Sequence, residues 1–549
     1  MKNMFSMQRI TAFATALLAL TLFSFGQPAA KSDDRLKVKA RIGEKHKPDA
    51  SMMPYRIVRG GSTSYIVLRS PDFDTKAFTK QSPRIDAYDR LKLTYERSLE
   101  PVLERRGKER LLLEDLVVIN RRPTLIARTA GQEEVALYYQ HIDPNLTRQP
   151  PAFDRLCAFP VEVKERQALY AKAGNATRDK WNTAIAPDSS HLLIHSPEMR
   201  GSSDGQAFYL LAAVDKEMNV KWQHIMRLDG GGQSEVLSAA IDAQGTAYLV
   251  IKSRRGELGE GGAFTVALHR VDADNLDQLP FGMDAGYLPT GGILQHVGKR
   301  LAYAGIYANG GRKLGNFIAW IDSIEAGAGG MDLLPFAEGT DMEAEEAVGV
   351  DESKLDDTKA GKKEQKRLRS TTDVIALVPR DKGGFYVVNE IAFAAVHTDP
   401  ATAKRYQRFY RGPVLARCVN TDGQVAWNTW FKRWAVTDEP ILGRSLPIVF
   451  KDQLHLFLWD NEATAELRKS GGRIAPKTTS SNYTVYAYFD EKGLARTKPV
   501  LRSDNDKTLI AGWELTRVGP DEYAAFGTSS LLELEYLPVR LDFIQETKK

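Results

Sequence analysis

One strand-turn-strand phrase recurs along this chain and limits what it can fold into. Its clearest copies are Val214-Asp215-Lys216-Glu217-Met218-Asn219-Val220-Lys221-Trp222, Val419-Asn420-Thr421-Asp422-Gly423-Gln424-Val425-Ala426-Trp427 and Phe489-Asp490-Glu491-Lys492-Gly493-Leu494-Ala495. Each reads as a tight hairpin: Gly or Asn supplies the positive φ of the turn, and β-branched or aromatic residues flank it. A second set of turns lies upstream: Arg59-Gly60-Gly61-Ser62, Asn120-Arg121-Arg122-Pro123, Pro187-Asp188-Ser189-Ser190, Asp242-Ala243-Gln244-Gly245, Gly298-Lys299-Arg300, Asp381-Lys382-Gly383-Gly384, Lys451-Asp452-Gln453 and Gly519-Pro520-Asp521-Glu522. These turns recur at intervals of roughly 55 to 85 residues, a long period that surface insertions explain.

Two alternating hairpins per unit make four antiparallel strands per unit. Sheets of that size cannot bury both faces alone, and radial closure does it for them. The expected fold is therefore all-β, a single β-propeller of four-stranded antiparallel blades spanning residues 51–549. Eight blades are expected, or seven if one pair of units is misparsed. A tandem array of β-sandwiches is the rival, but it needs seven or more strands before the pattern repeats. The last unit supplies three strands, over residues 511–518, 523–528 and 536–543. The lead-in, residues 27–50, holds the alternating run Arg35 to Ile42, which suits a fourth strand closing the ring.

The opening residues read as a secretory signal peptide, residues 1–26. Lys2 and Arg9 are basic, Ile10 to Phe25 is apolar, and Ser24 and Gly26 are small at the cleavage positions, leaving Gln27 as the new N-terminus. An exported protein, periplasmic or extracellular, is expected, with no membrane span after cleavage. The net charge of +5 becomes +3 without Lys2 and Arg9. That near balance gives no global electrostatic case for nucleic acid. Cys157 and Cys418, the two cysteines, fall in units that are not neighbours and read as small buried hydrophobes rather than a disulfide. His191 and His195 share a strand parity, yet a third metal ligand is missing.

Residues 338–370 stand outside the repeat. An acidic block from Glu338 to Glu346 gives way to Lys359, Lys362, Lys363, Lys366, Arg367 and Arg369, a composition that reads as a mobile charged insertion. Residues 160–172 have helical composition and read as a decoration between units two and three.

The Asp-x-x-Gly-x-x-x-Trp phrase, carried at Asp422 to Trp427 (one residue shorter) and, with Asn219 in place of Gly, at Asp215 to Trp222, resembles the repeat of quinoprotein-like propellers, though no specific characterised family. In that family the phrase fastens blades together, so the resemblance implies the fold. It does not imply the quinone: no adjacent Cys pair or calcium cluster accompanies it, and no cofactor or metal is expected. The boxes of sialidase propellers are absent, as is the Gly-x-Ser-x-Gly elbow of a hydrolase domain.

The connections between second and third strands emerge on one face of the ring. They are read as loops at 196–206, 253–262, 307–316, 394–411 and 461–481. They carry the candidate ligand-binding residues Arg200, Arg254, Arg255, Arg312, Lys313, Arg405, Tyr406, Arg408 and Arg411. A basic and aromatic rim suits an anionic or sugar-like polymer, or the acidic patch of a protein. The functional expectation is a non-catalytic binding or scaffold protein of the cell envelope or extracellular space, with an unknown protein or glycan ligand at one propeller face. The alternative is a glycan hydrolase using carboxylates that the ring gathers at its channel.

Overall fold

Eight antiparallel sheets, seven of them built from strands consecutive in the chain, form the ring of a single eight-bladed β-propeller. The computed structural model describes residues 36–545 apart from several connecting stretches, the longest being 45–51, 72–82, 162–180, 255–263, 280–286, 337–371, 475–482 and 529–535. The segments 1–26, 338–370 and most of 160–172 lie outside the described residues. Two compact units divide the chain: Ala40–Leu541, which holds the sheets' cores, and a small one made of Met1–Lys39 and Asp542–Lys549.

Blades are numbered here in chain order from the first complete one. Blade 1 runs Met52–Arg59, Ser64–Pro71, Arg84–Asp89 and Tyr95–Leu99; blade 2 runs Leu112–Ile119, Arg122–Arg128, Val135–His141 and Asp154–Phe159. Blade 3 begins at Asn182–Ile185, blade 4 at Ser234–Ile241, blade 5 at Leu288–Val297, blade 6 at Thr372–Pro379 and blade 7 at Leu446–Phe450. Blade 8 consists of Leu509–Gly519, Glu522–Thr528 and Tyr536–Gln545, with Leu36–Ile42 as its outermost strand, so both ends of the chain build it. The Gly43 amide donates to the Pro538 carbonyl (2.8 Å) and extends this pairing.

The inner strands pack one against the next around the circle, and that of blade 8 packs on that of blade 1. Between neighbouring blades lie separate apolar clusters. Leu116, Leu125 and Ala127 meet Ile66, Leu68 and Ile85 between blades 2 and 1, and Leu454, Leu456 and Val485 meet Val388, Val414 and Ala416 between blades 7 and 6. A sheet with apolar residues on both faces is stable only between two others, which is why the strands read as nearly continuous apolar runs.

The predicted first hairpins all fall where a first strand turns into a second. In two of them both turn residues are left-handed without glycine: Asn120 and Arg121 (φ 48° and 61°), and Lys451 and Asp452 (φ 48° and 63°). That geometry belongs to the two-residue turn whose twist matches the strands. The two tryptophans of the repeated phrase bridge blades. Trp222 of blade 3 donates from Nε1 to the Gly245 carbonyl in the first turn of blade 4 (2.8 Å), and Trp427 of blade 6 stacks on Phe489 of blade 7 with centroids 5.6 Å apart.

Three connections expected to be loops contain regular structure. Strands continue to Asn309 and resume at Arg312; they continue to Thr398 and resume at Arg405; and residues 461–481 include a helix, α1, Glu462–Ser470, capped by Asn461. Residues 391–398 and 405–411 pair with one another and extend the blade 6 hairpin well past its outer strands. Cys418 is buried in blade 6 and Cys157 is half-buried in blade 2, both as free thiols.

Candidate ligand-binding site

The inner strands of blades 8, 1, 2 and 3 surround a cavity of about 800 Å3. Its walls are runs of consecutive residues, 56–59, 116–118 and 516–520, with Thr183 and Ile185. Consecutive residues line it because an innermost strand has a neighbour on one side only, so its other main-chain edge faces the channel. The cavity sits toward the ends of these strands that lead into the first turns. By antiparallel alternation, that is the end opposite the connections carrying the predicted rim residues.

Arg56, Asp115 and Thr183 link three blades along this wall. The Arg56 guanidinium holds the Asp115 carboxylate at 3.0 and 3.1 Å through Nη2, and the Thr183 hydroxyl donates to Oδ2 at 2.7 Å. The Leu116 amide donates to Oδ1 as well, at 2.8 Å. Asp115 is 4% exposed, so its charge is spent within the wall, whereas Arg56 keeps a third of its side chain open.

Two further arginines line the cavity, each on an inner strand close to its first turn. Arg59 donates from Nε to the Gly61 carbonyl at 3.5 Å; Arg517 donates to the carbonyls of Gly519 (3.3 Å) and Pro520 (3.0 Å). Both side chains are exposed and neither has a carboxylate partner among the described residues. The blade 1 turn that positions Arg59 requires glycine: a Cβ on Gly60 would lie 2.3 Å from Ser64 Oγ and 2.4 Å from the Pro144 carbonyl of blade 2. None of the described lining residues is acidic.

The predicted rim residues are distributed over blades 3 to 6. Arg200 and Arg254 end the strands Met199–Arg200 and Ala247–Arg254, and Arg312 opens Arg312–Trp320. Arg255 lies outside the described residues. Lys313 reaches into blade 6, where Nζ donates to the Thr372 carbonyl (2.6 Å) and Asp373 Oδ1 (2.7 Å). Arg411 lies 3.5 Å from Glu390, beside the fully buried Arg433 and Ser445, and burial pulls its guanidinium below the usual arginine range. Arg408 sits 3.7 Å from Asp438 and over the Tyr406 ring at 5.1 Å. Arg405 and Tyr406 are exposed on the blade 6 hairpin, paired with Thr398 and His397.

Reading the sequence missed Arg56, Arg59 and Arg517. The available signal was an arginine within two residues of the first turn glycine in units one and eight, Arg59-Gly60 and Arg517-Val518-Gly519. It was not distinctive, because charged residues flank most exposed turns.

No family model matches the chain, and no curated protein matches it. Among solved structures it is similar to the β-propeller domain of the Trilobed protease from Pyrococcus furiosus, described as having an open velcro topology (5% identity, 90% of this chain and 96% of that one, TM-score 0.34). It is similar also to polysaccharide lyase Uly1 (8% identity, 79% and 89%, TM-score 0.37) and to prolyl oligopeptidase B from Galerina marginata (8% identity, 89% and 55%, TM-score 0.38). The class defined by the chain's own sheets is the eight-bladed β-propeller.

Proposed function

We propose that this protein is an exported, non-catalytic binding protein that takes its ligand into the channel end between blades 8, 1, 2 and 3. The observation carrying this reading is the cavity itself: about 800 Å3, within the range of ligand sites, with guanidinium groups and no acidic side chain among its described lining residues. Glycan hydrolysis from that cavity would need a pair of carboxylates flanking the scissile bond, and Asp115, the acid that joins two of the lining residues, is committed to Arg56 and Thr183. Export rests on the basic and apolar pattern of residues 1–26. The exposed Arg405 and Tyr406 of the blade 6 hairpin give a second surface at which a partner would dock.

The test is a binding screen of the mature protein against glycan and protein panels, with product analysis on each hit. Ile185→Trp, which places a large side chain on the cavity wall, is expected to abolish binding, whereas Arg405→Ala with Arg408→Ala leaves it intact. The reverse pattern moves the site to the blade 6 face, and cleavage products overturn the non-catalytic reading. Mature protein beginning at Gln27 in an extracellular or periplasmic fraction checks export.

A further inference from the structure

The cavity's chemistry narrows the ligand, if the channel end is the binding site as proposed above. Its two exposed arginines, Arg59 and Arg517, are held, among the described residues, by main-chain carbonyls of their own turns. A guanidinium held this way keeps donors free for a planar oxyanion and is pre-organised to receive it. Beyond the 116–118 wall, the same strand runs into the turn bearing Arg121 and Arg122, both exposed and neither in an ion pair with a described carboxylate. The acids of the adjoining first turns are Asp188, whose Oδ1 is taken by Ser190, Glu522, which Arg90 holds, and Asp521. A cationic track thus leads from blade 8 across blade 1 to blade 2.

The rest of the lining decides what carries the oxyanion. Of the described aliphatic lining residues, Ile57, Val58, Leu116, Val117 and Val518 are nearly fully buried and Val118 is half-buried, which leaves Ile185, 38% exposed, as a single aliphatic side chain open to a lipid chain or a hydrophobic anchor. None of the described lining residues is aromatic, so none stacks a nucleobase. Main-chain edges remain around the two arginines, a surface suited to hydroxyl-bearing groups, the Thr183 hydroxyl being given to Asp115 and Thr516 Oγ1 lying buried. We infer that the channel end binds an acidic polysaccharide, with Arg59 and Arg517 receiving carboxylate or sulfate groups of the chain.

Mature protein is titrated with polygalacturonate, dextran sulfate and neutral dextran, with polyglutamate and oligo-deoxythymidylate as other polyanions. The expected result is binding of polygalacturonate or dextran sulfate, none of dextran, and weakening as NaCl rises from about 50 to about 300 mM. The polygalacturonate and dextran sulfate arms show whether carboxylate or sulfate is preferred. Arg59→Ala with Arg517→Ala weakens binding by about tenfold or more, and the Lys pair restores part of it. Equal binding of dextran, or an unaffected double Ala variant while Ile185→Trp still abolishes binding, overturns the oxyanion assignment and leaves the cavity reading standing. Binding that survives Ile185→Trp overturns the cavity reading itself. Polyglutamate or the oligonucleotide bound as tightly through the same two arginines overturns the polysaccharide assignment, as does binding of none of the polymers.

Discussion

Arg90 clasps Glu522 across the seam between the first and last blades, with Nε 2.9 Å from Oε1 and Nη2 2.5 Å from Oε2. Arg90 lies in the turn after the third strand of blade 1, and Glu522 opens the second strand of blade 8. The Tyr65 hydroxyl donates to Oε1, and Arg540 Nη2 lies 3.5 Å from Oε2. Burial acts against the ionised carboxylate, but the bonds from Arg90 and Tyr65 and the charge of Arg540 outweigh it, holding Glu522 below its usual range. Burial first, and the carboxylate second, push the Tyr65 phenol up.

Glu522→Gln keeps the shape of this hub and removes its charge. Arg90 and Arg540 are mostly buried on either side, and stranding them costs about 2 to 4 kcal/mol. Because the folded-state carboxyl titrates below its unfolded value, its stabilisation is present above the ordinary Glu pKa and disappears as pH falls through the folded one. Denaturant unfolding should therefore show Glu522→Gln far less stable than the parent at pH 7, the two converging in strongly acidic buffer. Arg155→Ala, which removes a half-exposed pair with Glu134, is the comparison and should cost under about 1 kcal/mol.

Gly493 and Gly471 separate close approach from backbone strain. Both are left-handed, at φ 78° and 71°. A Cβ on Gly493 would lie 2.6 Å from the Trp427 ring, whereas nothing lies within 4 Å of one on Gly471 at the end of α1. Gly471→Ala should cost about 1 kcal/mol, the conformational penalty alone. Gly493→Ala adds a clash with the indole that joins blades 6 and 7, and should cost about 2 to 4 kcal/mol in all. A Trp emission change confined to Gly493→Ala, alongside the larger drop in Tm, checks the assignment.

The hairpin phrase made the blade count legible because turn chemistry is local. Asp215 accepts the amides of Glu217 and Asn219, and Asp490 those of Lys492 and Leu494, the same short-range pattern in each unit. What joins units is not local. Tyr65 and Glu522 are 457 residues apart, and Lys313 meets Asp373 across an interval that includes the charged insertion. The charge of the rim residues could be read from the chain, but not which of them would be consumed by a neighbouring blade. The cavity was hidden for the same reason: Arg59 and Arg517 share a wall only once the ring brings blade 8 beside blade 1.

Glu390 and Arg433, both fully buried, form an ion pair beneath the blade 6 hairpin, and Ser445 bonds the same carboxylate oxygen through Oγ (2.8 Å) and its amide (3.0 Å). Removing one member leaves the other charged and unsolvated, so Arg433→Met and Glu390→Leu alone should each cost about 3 to 5 kcal/mol. Together they leave two apolar side chains in place of two charges, and the double variant should be more stable than either single one. A double-mutant cycle by denaturant unfolding measures the coupling. Additive losses would mean that the site cannot accept apolar packing.

Buried histidines set the first acid-sensitive step. Burial pulls His195 down to about 4, opposed weakly by its bond to the Ser196 carbonyl, and His455, enclosed by Phe450, Tyr486 and Tyr488, to about 3; His269 is lowered by burial as well. The unfolded chain protonates these imidazoles near pH 6.5, whereas the folded one does not. Stability therefore falls as pH drops below about 6.5 and goes on falling until the folded-state values are passed, a loss of about 3 kcal/mol for His195. Carboxylates held low, such as Asp452 and Glu522, contribute only in more acidic buffer, whereas the Asp460 carboxyl, raised by burial, takes up its proton earlier in the folded state and opposes the histidines' effect. Thermal unfolding from about pH 6.5 to 4.5 should show a declining Tm in the parent, and His195→Gln, which cannot gain the proton, should show a shallower decline. An unchanged slope would place the acid sensitivity on other groups.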